Sequence, residues 1–243
     1  SALIPLGCAL FLPDFQEFTS GAEAVDGMMS TLFQMSAYLL LMPALVVLAS
    51  NLLFEEQDND TLKSLMTVPV SKPALAMAKM ALLFLFSIAF MAVGGLVILV
   101  IVLAAGWEPV GFWRLFFVGI GQGIMMWAGA LPCILLVVLL NRSYIISVII
   151  TFFYTAVNYI FGLNDLFITQ PFGLNLGTLL PGPLTFRWYF QYLDFSNAGT
   201  EMLGLLERVS PYFVTTAQAF LVTGAEAAVF LALIALVYKR QGA

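Results

Sequence analysis

The chain has 243 residues, 62% of them hydrophobic and only 9% charged, with a net charge of −5. Soluble domains carry about 25% charged residues, so this composition excludes a water-covered fold and makes the bilayer the solvent for most of the chain. The absence of histidine excludes His-ligated metal sites and Ser-His catalysis. No glycine precedes a lysine, so the chain has no phosphate-binding loop of the GxxxxGK[ST] type. No Lys/Arg run of the kind that binds nucleic acid is present.

A membrane-crossing helix needs about 20 mostly apolar residues. Residues 2–13 are apolar but too short, and Asp14 closes them, so they read as part of a first span that begins before Ser1. Full spans are expected at 28–50, 74–105, 112–140 (with Pro132 as a kink), 144–161 and 213–238. Residues 51–73 and 141–143 form polar connections between them. Residues 162–212 are long, mixed, and interrupted by Pro171, Pro181, Pro183 and Pro211, so they cannot be one helix. Within them, 184–192 and 200–209 each suit a short helix, either re-entering the membrane or lying on its surface. The expected fold is an all-α integral membrane protein: one transmembrane domain over 1–243, a six-span bundle with a truncated first span and a long outer segment before the last span.

Orientation follows from basic residues near the span ends. Lys63, Lys72, Lys79, Arg142, Lys239 and Arg240 lie on one side, against Arg114, Arg187 and Arg208 on the other. The first side is therefore cytoplasmic, with the C-terminus, in a multi-pass protein of the cell membrane. Trp107, Trp113, Trp188, Tyr189 and Tyr192 are expected to form an outer aromatic belt.

Few polar residues fall inside the spans. Gln34, Gln122, Asn158 and Gln218 either line a pathway or hydrogen-bond between helices. Glu226 lies near the middle of the last span, where a charge is costly. It is either a substrate-pathway group or a neutral acid bonded to a neighbouring helix. Gly119 and Gly123 have the GxxxG spacing that lets helices approach closely. Cys8 and Cys133 sit in apolar runs and read as packing residues.

The most informative stretch is the connection after the second span. Glu55, Glu56, Asp58 and Asp60 precede Thr61, Leu62, Lys63, Leu65 and Met66, and Pro69 follows. Asn59 or Asp60 can cap a helix, Leu62, Leu65 and Met66 share one face, and Pro69 ends it. Four acids within residues 55–60 would be repelled by anionic lipid. The apolar face is therefore expected in a groove on a protein partner.

Together with Pro69-Val70-Ser71 and Lys79, this stretch resembles type-2 ABC transporter permeases, and is most similar to the bacitracin- and lantibiotic-export and immunity branch. The resemblance implies a non-catalytic permease that moves an amphipathic peptide, antibiotic or lipid-like substrate outward. It implies a coupling helix, spanning Glu55, Glu56, Asp58, Asp60, Thr61, Leu62, Leu65, Met66 and Pro69, that docks into a separate ATP-binding subunit. It implies two such subunits holding ATP and Mg, and a second permease, identical or homologous; this chain would hold no cofactor itself. Membrane lipid is the remaining partner. A secondary transporter predicts several in-membrane acids and an inverted repeat. A membrane enzyme or scaffold is the other alternative; an enzyme predicts a catalytic constellation, and none is evident.

Overall fold

A computed structural model describes residues 18, 20–58, 72–140, 144–195 and 200–240. Those residues are helical or in turns, with no strand among them. A bilayer leaves few options, because every backbone polar group in hydrocarbon needs an internal partner, and a helix supplies one within its own segment.

The first long helix is continuous in direction but not in winding. Helix α1 spans Gly21–Thr31 and α2 spans Met42–Asp58; between them Leu32–Leu41 is a π-helix. It begins earlier than the span expected at 28–50, because Ser20 caps it: the Ser20 hydroxyl accepts from the Glu23 N–H at 3.3 Å. Helix α3 covers Lys72–Ala104, with Pro73 in its first turn, where its missing N–H costs nothing. Helix α4 covers Phe112–Leu140 and runs through Pro132. Helix α5 covers Tyr144–Gly162.

The segment before the last span breaks into short pieces: α6 (Asp165–Ile168), α7 (Leu176–Leu179), α8 (Pro181–Tyr189) continuing as a 3₁₀ turn (Phe190–Tyr192), and α9 (Thr200–Val209) continuing as a 3₁₀ turn (Ser210–Tyr212). Helix α10 covers Thr216–Arg240.

Among the described residues, four helical stretches are long and apolar enough to cross a membrane: Gly21–Leu53, Lys72–Ala104, Phe112–Leu139 and Thr216–Arg240. Four spans are thus shown of the six expected. The partial span at 2–13 lies outside the described residues, and Val148–Gly162 of α5 is a shorter apolar helix.

Helix α4 is the hub. It packs against α1, the π-helix, α2, α3, α5, α8 and α10. Gly123 permits its contact with α3, since a Cβ there would meet the Ser87 carbonyl oxygen at 3.0 Å. By contrast α10 packs mainly on α3 and α4 and leaves most of its apolar surface facing outward.

The bundle has two ends. The proximal end carries the terminus of α2, the start of α3 and the end of α10. The distal end carries Ser20, the 105–111 turn and the short helices between α5 and α10. The expected aromatic belt is corrected at two positions. Trp113 is exposed at the distal end, but Trp188 and Tyr189 are buried within the bundle, because α8 turns all of its residues inward.

Candidate functional site

All nine residues of α8 are buried. Its deep end reaches well into the bundle. A Cβ on Gly129 of α4 would fall 2.5 Å from the Pro181 side chain, and Gly129 lies about 25 Å along α4 from Phe112. From there α8 runs back to the distal end, where Arg114 near the start of α4 donates to the Tyr192 carbonyl at 2.8 Å. The 184–192 segment therefore sits inside the bundle, whereas α9 is amphipathic and mostly exposed.

A helix N-terminus inside a membrane bundle leaves backbone donors to satisfy. The sequence Leu180-Pro181-Gly182-Pro183-Leu184 resolves this locally. The two prolines remove two donors outright. The Gly182 N–H donates to Asn158 Oδ1 at 3.3 Å, and the Leu184 N–H to the Leu180 carbonyl at 3.1 Å. The Gly182 carbonyl accepts from the Tyr38 hydroxyl at 3.0 Å, and the Pro181 carbonyl accepts from Thr185 Oγ1. Asn158 is itself oriented by donating Nδ2 to the Tyr154 carbonyl at 2.9 Å. Tyr154 in turn donates its hydroxyl to the Gly129 carbonyl at 2.6 Å. Gly182 is required by space: a Cβ there would fall 2.0 Å from the Asn158 carbonyl oxygen.

The π-helix forms the facing wall. Its Tyr38 and Gln34, with Tyr159, Phe186 and Tyr189, surround a small void. Gln34 donates to the Ser30 hydroxyl at 3.0 Å. Phe33 packs edge-on against Tyr189, with ring centroids 5.3 Å apart, and its carbonyl accepts from Gln122 Nε2 at 2.7 Å. The buried Tyr189 hydroxyl faces Gln34. The Ser36 hydroxyl and Gln122 Oε1 are buried with no hydrogen-bond partner among the described residues. Groups of that kind mark a place where water, a ligand or a second conformation satisfies them. The winding is consistent with this, since π-helical turns are rare and occur frequently at functional sites.

Asn158 thus holds the deep end of α8, while Gln34 and Gln122 lie beside Phe33 and Tyr189, nearer its distal end. Gln218 lies elsewhere. It completes a capping box at the distal start of α10, accepting from the Thr215 N–H at 2.9 Å while its own N–H donates to Thr215 Oγ1 at 3.2 Å. Glu226 is half-buried on α10, within electrostatic range of Tyr154, and makes no hydrogen bond among the described residues. Cys133 is buried, 3.9 Å from Thr151 Oγ1, in keeping with a packing role. Of the coupling residues, Glu55, Glu56 and Asp58 fall in the last turns of α2, while Asp60, Thr61, Leu62, Leu65, Met66 and Pro69 lie outside the described residues.

Sequence reasoning missed Tyr38 and Arg187. Tyr38 was hidden because a tyrosine in an apolar run looks like packing. Arg187 looked like an outer-surface cation, yet it is fully buried. It donates Nε to the Tyr212 carbonyl at 2.7 Å and Nη1 to the Gly177 carbonyl at 2.9 Å. It thereby ties α7, α8 and the turn after α9 into one insert. The spacing of prolines signalled a broken segment, but nothing local signalled that its cation points inward.

Among the described residues no cluster of His, Cys, Asp and Glu is suited to a metal ion. No curated protein and no solved structure matches the chain. A family model for ABC-2 family transporter proteins matches residues 2–158. That range includes the acidic connection after α2, the π-helix, and the Asn158 that receives α8. The chain belongs to the ABC-2 transporter family and is a membrane permease of an ABC transporter.

Proposed function

We propose that this permease exports an amphipathic peptide, antibiotic or lipid-like molecule. Two copies of an ATP-binding subunit would drive it through the cytoplasmic connection after α2, alongside a second permease, identical or homologous. The observation that carries this reading is the deep end of α8. Irregular backbone at that depth persists where protein buries it or where it borders a path. Here it meets the Tyr38 and Thr185 hydroxyls and the Asn158 amide, with no charged side chain bonded to it among the described residues, which suits a cargo with a large apolar body. ATP and Mg belong to the partner, since this chain lacks a phosphate-binding loop. The proximal end is then cytoplasmic and the distal end external, in the cell membrane. A distal cavity of about 300 Å³ supports a cationic, amphipathic peptide. It places Glu23, Asp26 and Asp194 beside Phe18, Phe195 and Met202.

The test is co-expression with a candidate ABC ATP-binding subunit, followed by co-purification and reconstitution. Two probes are followed: tolerance of cells to bacitracin, and ATP-driven outward movement of fluorescent (NBD-labelled) phosphatidylethanolamine in proteoliposomes. Peptide export predicts the first, lipid export the second. Movement of neither probe with an active, assembled ATPase rejects the proposed cargo class. Failure to bind any ATP-binding subunit rejects the coupling.

A further inference from the structure

Both stems of the cytoplasmic connection are held by one buried cation. Lys79, two turns into α3, is 7% exposed. Its Nζ donates to the Leu52 carbonyl on α2 at 2.5 Å, and it stands over the Tyr238 ring of α10, 5.8 Å from the centroid. That distance is within cation–π range. Residues 59–71 connect the two helices that Lys79 joins. Tyr238 lies two residues before the end of α10.

A lysine near a membrane surface ordinarily extends its ammonium toward water. Lys79 instead lies buried among three helices. Taking an ammonium out of water is costly unless it is bonded, and the Leu52 carbonyl and the Tyr238 ring are among the partners that offset the cost. What the ammonium adds is directional: a bond to a helix carbonyl on one neighbour and an attraction to a ring face on another. A side chain that only packs would allow α2, α3 and α10 to slide. This one fixes their relative positions where the connection leaves the bundle.

We propose that Lys79 is the positioning residue that locks α2, α3 and the end of α10 into one transmission unit. A push on residues 59–71 then moves the last span, rather than merely spreading the two stems. The proposal rests on the permease–ATPase coupling stated above, and it assigns the transmission to a contact outside the docking helix.

The experiment uses the full chain assembled with its ATP-binding subunit in lipid nanodiscs. Lys79→Met removes the donor and keeps the stem, while Lys79→Arg keeps charge and donors. Nitroxide labels on Leu82→Cys and Leu236→Cys, in a Cys8→Ser, Cys133→Ala background, report the α3–α10 distance by pulsed electron resonance. The expected result is a narrow distance distribution in the parent and in Lys79→Arg, and a broad one in Lys79→Met. Bacitracin tolerance or NBD-phosphatidylethanolamine movement per ATP hydrolysed falls about five-fold or more in Lys79→Met, the low end of couplings between distant sites. Co-purification and ATP hydrolysis persist, and Lys79→Arg restores the ratio. Equal distributions in parent and Lys79→Met overturn the proposal. So does a transport loss that follows only the loss of assembled complex. If Lys79→Met does not accumulate, Tyr238→Leu decides: a widened distribution supports the unit, and an unchanged one overturns it. The label arm needs no cargo, so it separates failure of this proposal from failure of the cargo reading.

Discussion

At the scale of single residues, the tip of α8 has almost no tolerance. Gly182→Ala would place a methyl 2.0 Å from the Asn158 carbonyl oxygen, a backbone atom that cannot swing aside. The expected outcome is displacement of α8, seen as loss of transport and new thiol reactivity at Thr185→Cys. Wild-type transport in Gly182→Ala would show that α8 does not need this seat. Asn158→Leu leaves the Gly182 N–H without its acceptor, at a cost of about 1–3 kcal/mol, and thermal unfolding in detergent should register a lower midpoint. Glu226 is a different case. We propose the pathway role for this carboxylate, which is half-buried in the last span. Glu226→Gln should therefore lower transport or substrate-stimulated ATP hydrolysis while assembly stays intact; an unaltered variant rejects that role.

At the scale of elements, the acidic connection and the deep end of α8 are joined by one continuous helical path. Helix α2 leads out of the connection, and the π-helix continues it to Tyr38, which bonds the deep end of α8. The proposed docking role of residues 60–66 is tested by Leu62→Ala combined with Leu65→Ala. Truncating a buried Leu costs about 2–5 kcal/mol in a folded core, and interface sites concentrate their energy in a few anchors. The double variant should lose co-purification with the ATP-binding subunit or uncouple hydrolysis from transport, with membrane insertion unchanged. Retention of both at wild-type level removes the coupling role. Glu55, Glu56 and Asp58 should matter less, and less still at high salt, because rim charges are screened.

For the whole molecule, the decisive asymmetry is between ends. The proximal end gathers Lys72, Lys79, Lys239 and Arg240, and the distal end gathers the carboxylates of Glu23, Asp26, Asp165 and Asp194. The distal Arg208–Asp165 pair, at 2.9 Å, is exposed and contributes little. Basic residues are retained on the cytoplasmic side, so Ser196→Cys should react with an impermeant thiol reagent applied outside, and Ser64→Cys should not. The reverse pattern would invert the molecule and, with it, the direction of transport.

Composition and hydropathy alone determined that this chain is a helical membrane protein. The reason is physical: hydrocarbon offers no hydrogen bonds, so long apolar runs with few charges have one stable backbone solution. The helix expected between Asp60 and Pro69 lies outside the described residues. Gln34, Gln122 and Asn158 could be picked out as polar residues in apolar runs, but not located. Only the tertiary structure set Asn158 at the deep end of α8, set Gln34 and Gln122 near its distal end, and sent Gln218 to a helix cap. It also set the depth of α8, the inward course of Arg187, the grip of Lys79 on three helices and the π-winding at Leu32–Leu41. Each of these depends on a partner far away in the chain, such as Gly182 with Asn158 or Lys79 with Leu52 and Tyr238, and local sequence carries no record of which distant surface will meet it.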